Sequence, residues 1–141
     1  INTINTSLIS KSSDESSVTL DLVAIDLFTG HIEFYKCGAQ DTIVRKNKRV
    51  HFINSPSLPL GILKETEVST GKGTLTSGDV IVMVSDGVTD SDLSIVENYV
   101  KYFNNEKVRD FTEKLCEKIK ETGEGVNDDL TMLTLLLTKN E

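Results

Sequence analysis

The hydrophobic and polar positions of this chain form a series of strand patterns followed by two helical ones. Seven stretches alternate, or are continuously apolar, as strands do: 18–27, 32–37, 42–45, 49–53, 67–75, 80–84 and 130–138. Apolar residues recur at helical spacing in 93–103 and 107–121, with Asp92 as an N-cap, and a short helix end is predicted near residues 1–9. Because the strands come first and the helices are grouped late, we expect an α+β fold, a largely antiparallel β-sandwich with helices packed on its outer face.

The strand predicted at Val80–Val84 ends in an acidic segment. Five consecutive apolar residues, three of them valine, are typical of a strand that is buried on both faces. Ser85-Asp86-Gly87 follows, and Asp90 adds a further carboxylate. Near the C-terminus the acidic residues come before the strand: Asn127-Asp128-Asp129 precedes the apolar run 130–137. We interpret these two acidic ends as meeting in space and holding a divalent metal ion, since Mg²⁺ and Mn²⁺ prefer oxygen ligands.

Each acidic segment also has an ordinary structural interpretation. An Asp-Gly pair after a strand is most often a type I′ hairpin turn, and an acidic pair at a strand start is often a solvated loop end. The residues after Gly87 do not alternate like a returning strand, which favours the metal site. An alternative enzyme class is a phosphotransferase with an aspartate nucleophile, because Asp26 comes at the end of a predicted strand and Thr29 is nearby. The Asp-x-Asp pair that is usual in this class is missing. We expect His31 and His51 to be structural or surface residues.

Composition and charge exclude several classes of partner. A formal net charge of −7 over 141 residues argues against nucleic acid and anionic membranes, although an acidic protein can act on phosphate when a metal supplies positive charge. Cys37 and Cys116 fit no metal-ligand spacing and are expected to be reduced thiols of a cytoplasmic protein. No stretch approaches the ~18 apolar residues of a membrane span, and no signal peptide is visible. We therefore expect no membrane contact by this chain. Its length of 141 residues is sufficient for one domain with a hydrophobic core, so we expect residues 1–141 to form a single domain.

Several motifs resemble those of the PPM-type serine/threonine phosphatases. Residues 85–90 and 127–131 are similar to two C-terminal metal motifs of the bacterial branch, Ser-Asp-Gly-x-x-(acidic) and Asp-Asp-x-Thr. Four further segments match in order and spacing: 19–22, 34–39, 58–62 and 78–79. The resemblance covers residues 18–137, and within the bacterial branch it is greatest to the phosphatase domain of the stage II sporulation protein E family. It implies a PPM-like sandwich and a Mg²⁺- or Mn²⁺-dependent protein phosphatase.

The resemblance also implies roles for individual residues. Asp86 and Asp128 resemble the family's metal ligands and would act in catalysis through a metal-activated water. Three neighbours would support them: Gly87, Asp129 and Thr131. The glycine gives the backbone room, the aspartate lies beside the ligands or toward an outer ion, and the threonine packs or hydrogen-bonds beneath the site.

One motif of the family is missing from the sequence. Relatives carry an N-terminal Asp-Gly pair whose aspartate bridges two metal ions, and here Gly87 is the only glycine that follows an aspartate. The chain begins with Ile1 rather than Met, so we expect an incomplete, N-terminally truncated domain whose missing motif lies upstream in a longer parent. The complete domain would hold two Mn²⁺ or Mg²⁺ ions, whereas this fragment would bind them weakly or not at all and would be inactive.

The resemblance and the truncation together indicate partners. By resemblance the substrate is phosphoserine or phosphothreonine on an anti-anti-sigma-type regulator of sporulation or stress signalling, and the parent is anchored to the cytoplasmic face of the membrane. A non-catalytic, phosphatase-like protein-binding module is the alternative to an enzyme. Since missing early strands would expose sheet edges, we also expect self-association through those edges.

Overall fold

The computed structural model describes residues 1–11, 17–89, 93–104, 107–122 and 129–139. In chain order the elements are α1 (Asn2–Lys11), β1 (Leu20–Ile25), β2 (His31–Cys37), β3 (Thr42–Lys46), β4 (Arg49–Ile53), β5 (Ser69–Thr74), β6 (Val80–Val84), α2 (Asp86–Thr89), α3 (Leu93–Lys101), α4 (Val108–Thr122) and β7 (Met132–Leu136). Every strand pair in them is antiparallel, which confirms the α+β class. Within the described ranges, no helix has the length and apolar character needed to cross a membrane.

Two compact units make up the chain. The first comprises residues 1–39 and 54–74, and the second comprises residues 40–53 and 75–141. Three predicted positions, Asp90, Asp92 and Asp128, lie outside the described residues, so their predicted roles stay predictions.

The first unit contains a three-stranded sheet in the order β1-β2-β5. Alternate residues of the central strand β2 are buried on one face, and these are Ile32, Phe34 and Lys36. The buried lysine lies directly across from Asp21 of β1, and its ammonium nitrogen is 2.6 Å from the aspartate carboxylate. An ion pair therefore takes the place of an apolar contact in the covered face of this sheet.

Helix α1 is fastened to the rest of the first unit by a buried asparagine. Asn5 is 2% exposed. Its amide nitrogen donates to the carbonyl oxygens of Leu63 (2.9 Å) and Lys64 (3.2 Å), and its oxygen accepts the N–H of Gly61 (2.8 Å). Both ends of the amide are thus satisfied, which is what allows a polar side chain to be buried at low cost.

The second unit contains a four-stranded sheet, β4-β3-β6-β7, and the helices α3 and α4. Apolar side chains of α3 and α4 join those of β3 and β6 in one core: Ile43, Val80, Val82, Val88, Val96, Val100, Phe103, Phe111, Leu115 and Ile119. Phe103 and Phe111 meet edge to face with 5.0 Å between ring centroids. This core holds β6, the strand that carries the predicted metal motif.

Asp79 and Arg45 hold the turns at the opposite end of β6 from the predicted metal motif. The carboxylate of buried Asp79 accepts the backbone N–H groups of Thr76 (2.7 Å) and Asn47 (3.2 Å), which joins the β3–β4 turn to the turn before β6. Asn47 has φ 51°, the left-handed conformation of a type I′ turn. The guanidinium of Arg45 donates to the carbonyl oxygens of Gly78 and of Lys101 at the end of α3. The predicted hairpin at 42–53 is confirmed.

Candidate functional site

Strand β6 brings the candidate site to the end of a rigid, buried element. Val80, Ile81 and Val82 are buried, and β6 pairs on one side with β3 and on the other with β7. The prediction of a strand that is buried on both faces is therefore confirmed. Because β6 ends at Val84, the residues that follow it emerge at the edge of this core.

The Asp-Gly pair after β6 begins a short helical turn, α2, so the alternative of a type I′ hairpin is wrong. Val88 of this turn is fully buried in the core, and its N–H donates to the carbonyl oxygen of Ser85 at 3.1 Å. Burial of a valine contributes about 1.5–3 kcal/mol, which is enough to select one conformation for the turn. The N–H of Gly87 donates to the carboxylate of Asp86 at 3.1 Å, and Asp86 itself is exposed.

The start of β7 lies beside the end of β6. Val84 pairs with Met132, and the N–H of Ser85 continues the ladder by donating to the carbonyl oxygen of Thr131 at 3.0 Å. The Ser85 hydroxyl accepts the N–H of Thr131 at 3.0 Å and donates to the carbonyl oxygen of Asp129 at 3.1 Å. Asp86 and Asp129, more than 40 residues apart in sequence, therefore lie at the same end of one strand pair.

The sequence-predicted residues are distributed around this strand end as follows. Asp86 and Asp129 are exposed, Gly87 is buried, and Asp128 lies outside the described residues. Thr131 is exposed and hydrogen-bonds to Ser85 through its backbone. The structure thus brings the segments together and leaves the predicted role of each side chain as a prediction.

The donor chemistry of this strand end fits a hard divalent cation. Exposed carboxylate oxygens are the ligands that Mg²⁺ and Mn²⁺ take, together with several waters. Among the described residues, however, no group of three or more His, Cys, Asp or Glu side chains is close enough to hold an ion. Asp86 and Asp129 carry suitable donor atoms, and the described residues alone do not form a complete metal site.

The sequence motif includes Ser85 but does not predict its hydrogen bonds to the segment before β7. A hydroxyl residue directly before the predicted ligand, and directly after the apolar run that ends at Val84, was the available signal. Short hydroxyl side chains donate and accept at once, so they can join backbone segments where a ladder ends.

The rival phosphotransferase residue, Asp26, has a turn-forming role. Its carboxylate accepts the N–H groups of Phe28 (2.8 Å) and Thr29 (3.3 Å), and these hydrogen bonds, with that from Phe28 first, lower the pKa of the carboxyl below its ordinary value. His31 and His51 are exposed strand residues, as predicted.

Known proteins with similar sequences and structures support the same assignment. The chain is 29% identical over 148 aligned positions to stage II sporulation protein E of Bacillus subtilis (strain 168), a match that covers 99% of this chain and 18% of the relative. The corresponding protein of Priestia megaterium is also 29% identical, with 99% and 25% covered. The chain therefore spans a quarter or less of the length of these relatives.

Solved structures agree with the sequence relatives. A Mn-presoaked structure of the phosphatase domain of the cell fate determinant SpoIIE from Bacillus subtilis matches with a TM-score of 0.76 and 28% identity, over 99% of this chain and 64% of that one. A serine/threonine phosphatase of S. agalactiae has a TM-score of 0.79 at 18% identity, over 98% and 67%, which shows a shared fold. The predicted resemblance to PPM phosphatases is confirmed, and since the family model described as "Stage II sporulation protein E (SpoIIE)" matches residues 1–137, the chain belongs to that family.

Proposed function

We propose that this chain is the C-terminal part of a Mn²⁺- or Mg²⁺-dependent protein serine/threonine phosphatase domain. The observation that supports the proposal is the set of hydrogen bonds from Ser85, next to Asp86, to the backbone of Asp129 and Thr131 before β7. Membership of the SpoIIE family and similarity to a Mn-presoaked SpoIIE phosphatase domain support it.

The chain's own residues would have distinct tasks in this site. Asp86 and Asp128 would hold the cations by their carboxylates, and Asp129 would lie beside them. A pair of divalent cations supplies positive charge for the phosphoryl group and an activated water for in-line attack. Buried Val88 keeps the turn that carries Asp86 in place, so that the carboxylate is oriented before a cation arrives.

We further propose that the 141-residue chain is inactive without residues from a longer parent. With a net charge of −7, this chain repels a phosphorylated substrate unless cations neutralise its carboxylates. Two carboxylates give few ligands for two ions, and the family's Asp-Gly pair would supply the remainder from upstream.

The proposed substrate is phosphoserine or phosphothreonine on an anti-anti-sigma-type regulator in sporulation or stress signalling. Family membership supports the sporulation part of this proposal, because the relatives are named for sporulation and cell fate. Free thiols at Cys37 and Cys116 support a cytoplasmic location, since unpaired cysteines are typical of reducing compartments. The proposed parent is anchored to the cytoplasmic face of the membrane.

Self-association is a separate part of the proposal. In the described part of the chain, β1 and β5 end one sheet and β4 and β7 end the other. Sheet edges are templates for pairing with another strand, so we propose that these edges pair between copies when upstream strands are absent.

A Mn²⁺ titration on a phosphoserine peptide tests the catalytic proposal. We compare the 141-residue chain with a longer chain from the same gene, and we expect phosphate release from the longer chain only. In that longer chain, Asp86→Asn and Asp128→Asn should each lower the rate more than about 100-fold, because even residues that only orient metal ligands contribute 10–100-fold.

Asp110→Asn is the matched control, since it makes the same chemical change at an exposed position in the first turn of α4. Its rate should equal that of the wild type. Retained activity in both ligand variants would contradict the metal role of Asp86 and Asp128. If the longer chain contains no upstream carboxylate motif and releases no phosphate, the non-catalytic binding module is the better explanation.

A further inference from the structure

Ser85 contacts both acidic motifs, and the roles proposed above assign it no task. Three hydrogen bonds of 3.0–3.1 Å join it to the segment before β7: its N–H donates to the carbonyl oxygen of Thr131, its hydroxyl accepts the N–H of Thr131, and the same hydroxyl donates to the carbonyl oxygen of Asp129. One residue at the end of β6 thereby contacts the backbone on both sides of Leu130.

These contacts lie beyond the regular strand pairing. The β6–β7 ladder ends at the pair Val84–Met132, so the segment that carries Asp129 is outside the ladder. The Ser85 hydroxyl, which donates and accepts at once, contacts the backbone one residue (Thr131) and three residues (Asp129) before Met132. The same serine holds the α2 turn, because its carbonyl oxygen accepts the N–H of buried Val88.

We propose that Ser85 is a positioning residue for the cation site. Its hydroxyl holds the backbone of Asp129 and Thr131 against the end of β6, next to Asp86, so that these residues are arranged before a cation binds. The proposal rests on the function proposed above and adds a determinant of metal affinity. Groups that orient metal ligands without contacting the ion commonly change metal affinity 10–100-fold.

Ser77 provides a matched control within the same strand pair. Its hydroxyl accepts the N–H of Lys139 at 3.3 Å, which links the turn before β6 to the residues after β7, at the opposite end of the strands. Ser77→Ala therefore removes a hydroxyl–backbone contact at the opposite end of the β6–β7 pair, away from the acidic motifs.

Two measurements test the proposal, one with metal and one without. Calorimetric titration of the longer chain with MnCl₂ should give about tenfold weaker binding for Ser85→Ala, and wild-type binding for Ser85→Thr and Ser77→Ala. In the metal-free 141-residue chain, the amide of Thr131 should exchange its hydrogen about fivefold faster in Ser85→Ala, since it loses the hydroxyl acceptor. If Ser85→Ala does not fold, Ser85→Cys replaces it, because a thiol is a weak donor and acceptor.

The outcomes separate this proposal from the proposed function. Wild-type Mn²⁺ affinity in Ser85→Ala, together with faster exchange at Thr131, would show that the hydroxyl is structural only and would overturn the positioning role. Failure of Ser85→Thr to restore the affinity would overturn it as well. An absence of Mn²⁺ binding in the wild-type longer chain would overturn the proposed function, and the positioning role with it.

Discussion

Replacement of Lys36 by methionine tests how the buried ion pair of the first unit contributes to stability. Lys36 is 1% exposed, its ammonium nitrogen lies 2.6 Å from a carboxylate oxygen of Asp21, and the aspartate side chain is 16% exposed. At this distance and an effective dielectric constant of about 20, the attraction between the charges is about 6 kcal/mol. Desolvation of each ion costs several kcal/mol, so the pair as a whole contributes little net stability.

Removal of one partner alone leaves an uncompensated charge. Lys36→Met keeps the aliphatic stem but leaves a carboxylate that water partly reaches, and we expect the free energy of unfolding to fall by about 3 kcal/mol. Asp21→Leu leaves an almost fully buried ammonium group and should lower the free energy of unfolding by about 4–5 kcal/mol. The double variant buries a leucine beside a methionine and should lie within about 1 kcal/mol of the wild type.

Urea unfolding followed by far-UV circular dichroism measures these three free energies, and the double-mutant cycle isolates the coupling between the partners. The surface pair Arg109–Glu113, with 85% and 59% exposed side chains, is the control: Glu113→Gln should leave the urea midpoint unchanged, because water already solvates both groups. Additive losses, with a double variant that is less stable than either single one, would refute the reasoning.

Two smaller features give further matched tests. A Cβ at Gly38 (φ +60°) would lie 2.5 Å from the ring of Pro59, whereas a Cβ at Gly78 (φ +92°) would meet no atom within 4 Å. Gly38→Ala should therefore lower the free energy of unfolding by about 2 kcal/mol more than Gly78→Ala. Equal losses in urea unfolding would contradict the clash. The hydrogen bond from Lys72 is the largest cause that lowers the pKa of Glu33 from 4.5 to about 2. Because the folded pKa is depressed, the stabilisation is present above pH 4.5 and is lost as the pH falls toward 2, so the Tm advantage of wild type over Glu33→Gln should shrink across that window. A constant difference in Tm would contradict it.

The sequence predicted the strands well because burial imposes periodicity. The apolar run of β6 and the two hairpins were recognisable without knowledge of their neighbours. Strand ends were less accurate: the last strand begins at Met132, two residues later than the apolar run suggests, because the ladder with β6 starts only there. The order β4-β3-β6-β7 depends on contacts between distant segments, which periodicity does not encode.

Buried polar residues were the main features that the sequence pattern did not predict. Asn5, Lys36 and Asp79 have the polarity of surface positions, and only their partners make burial tolerable. For Lys36 a signal existed, since a hairpin that turns at residues 28–29 pairs positions at equal distance from the turn, and Asp21 is its partner there. For Asn5 there was none, because its partners are three backbone groups more than fifty residues away.

The candidate site contains two kinds of residue: some fix the backbone at the end of β6, and others expose a carboxylate to solvent. Asp86 and Asp129 are exposed, so each side chain can contribute only weakly to folding. Val88 and Ser85, in contrast, fix the backbone on either side of Asp86, one by burial in the core and the other by hydrogen bonds to the segment before β7. The sequence motifs contain the exposed carboxylates. The residues that fix the backbone around Asp86 are recognised only in the folded chain, since their partners are distant in sequence.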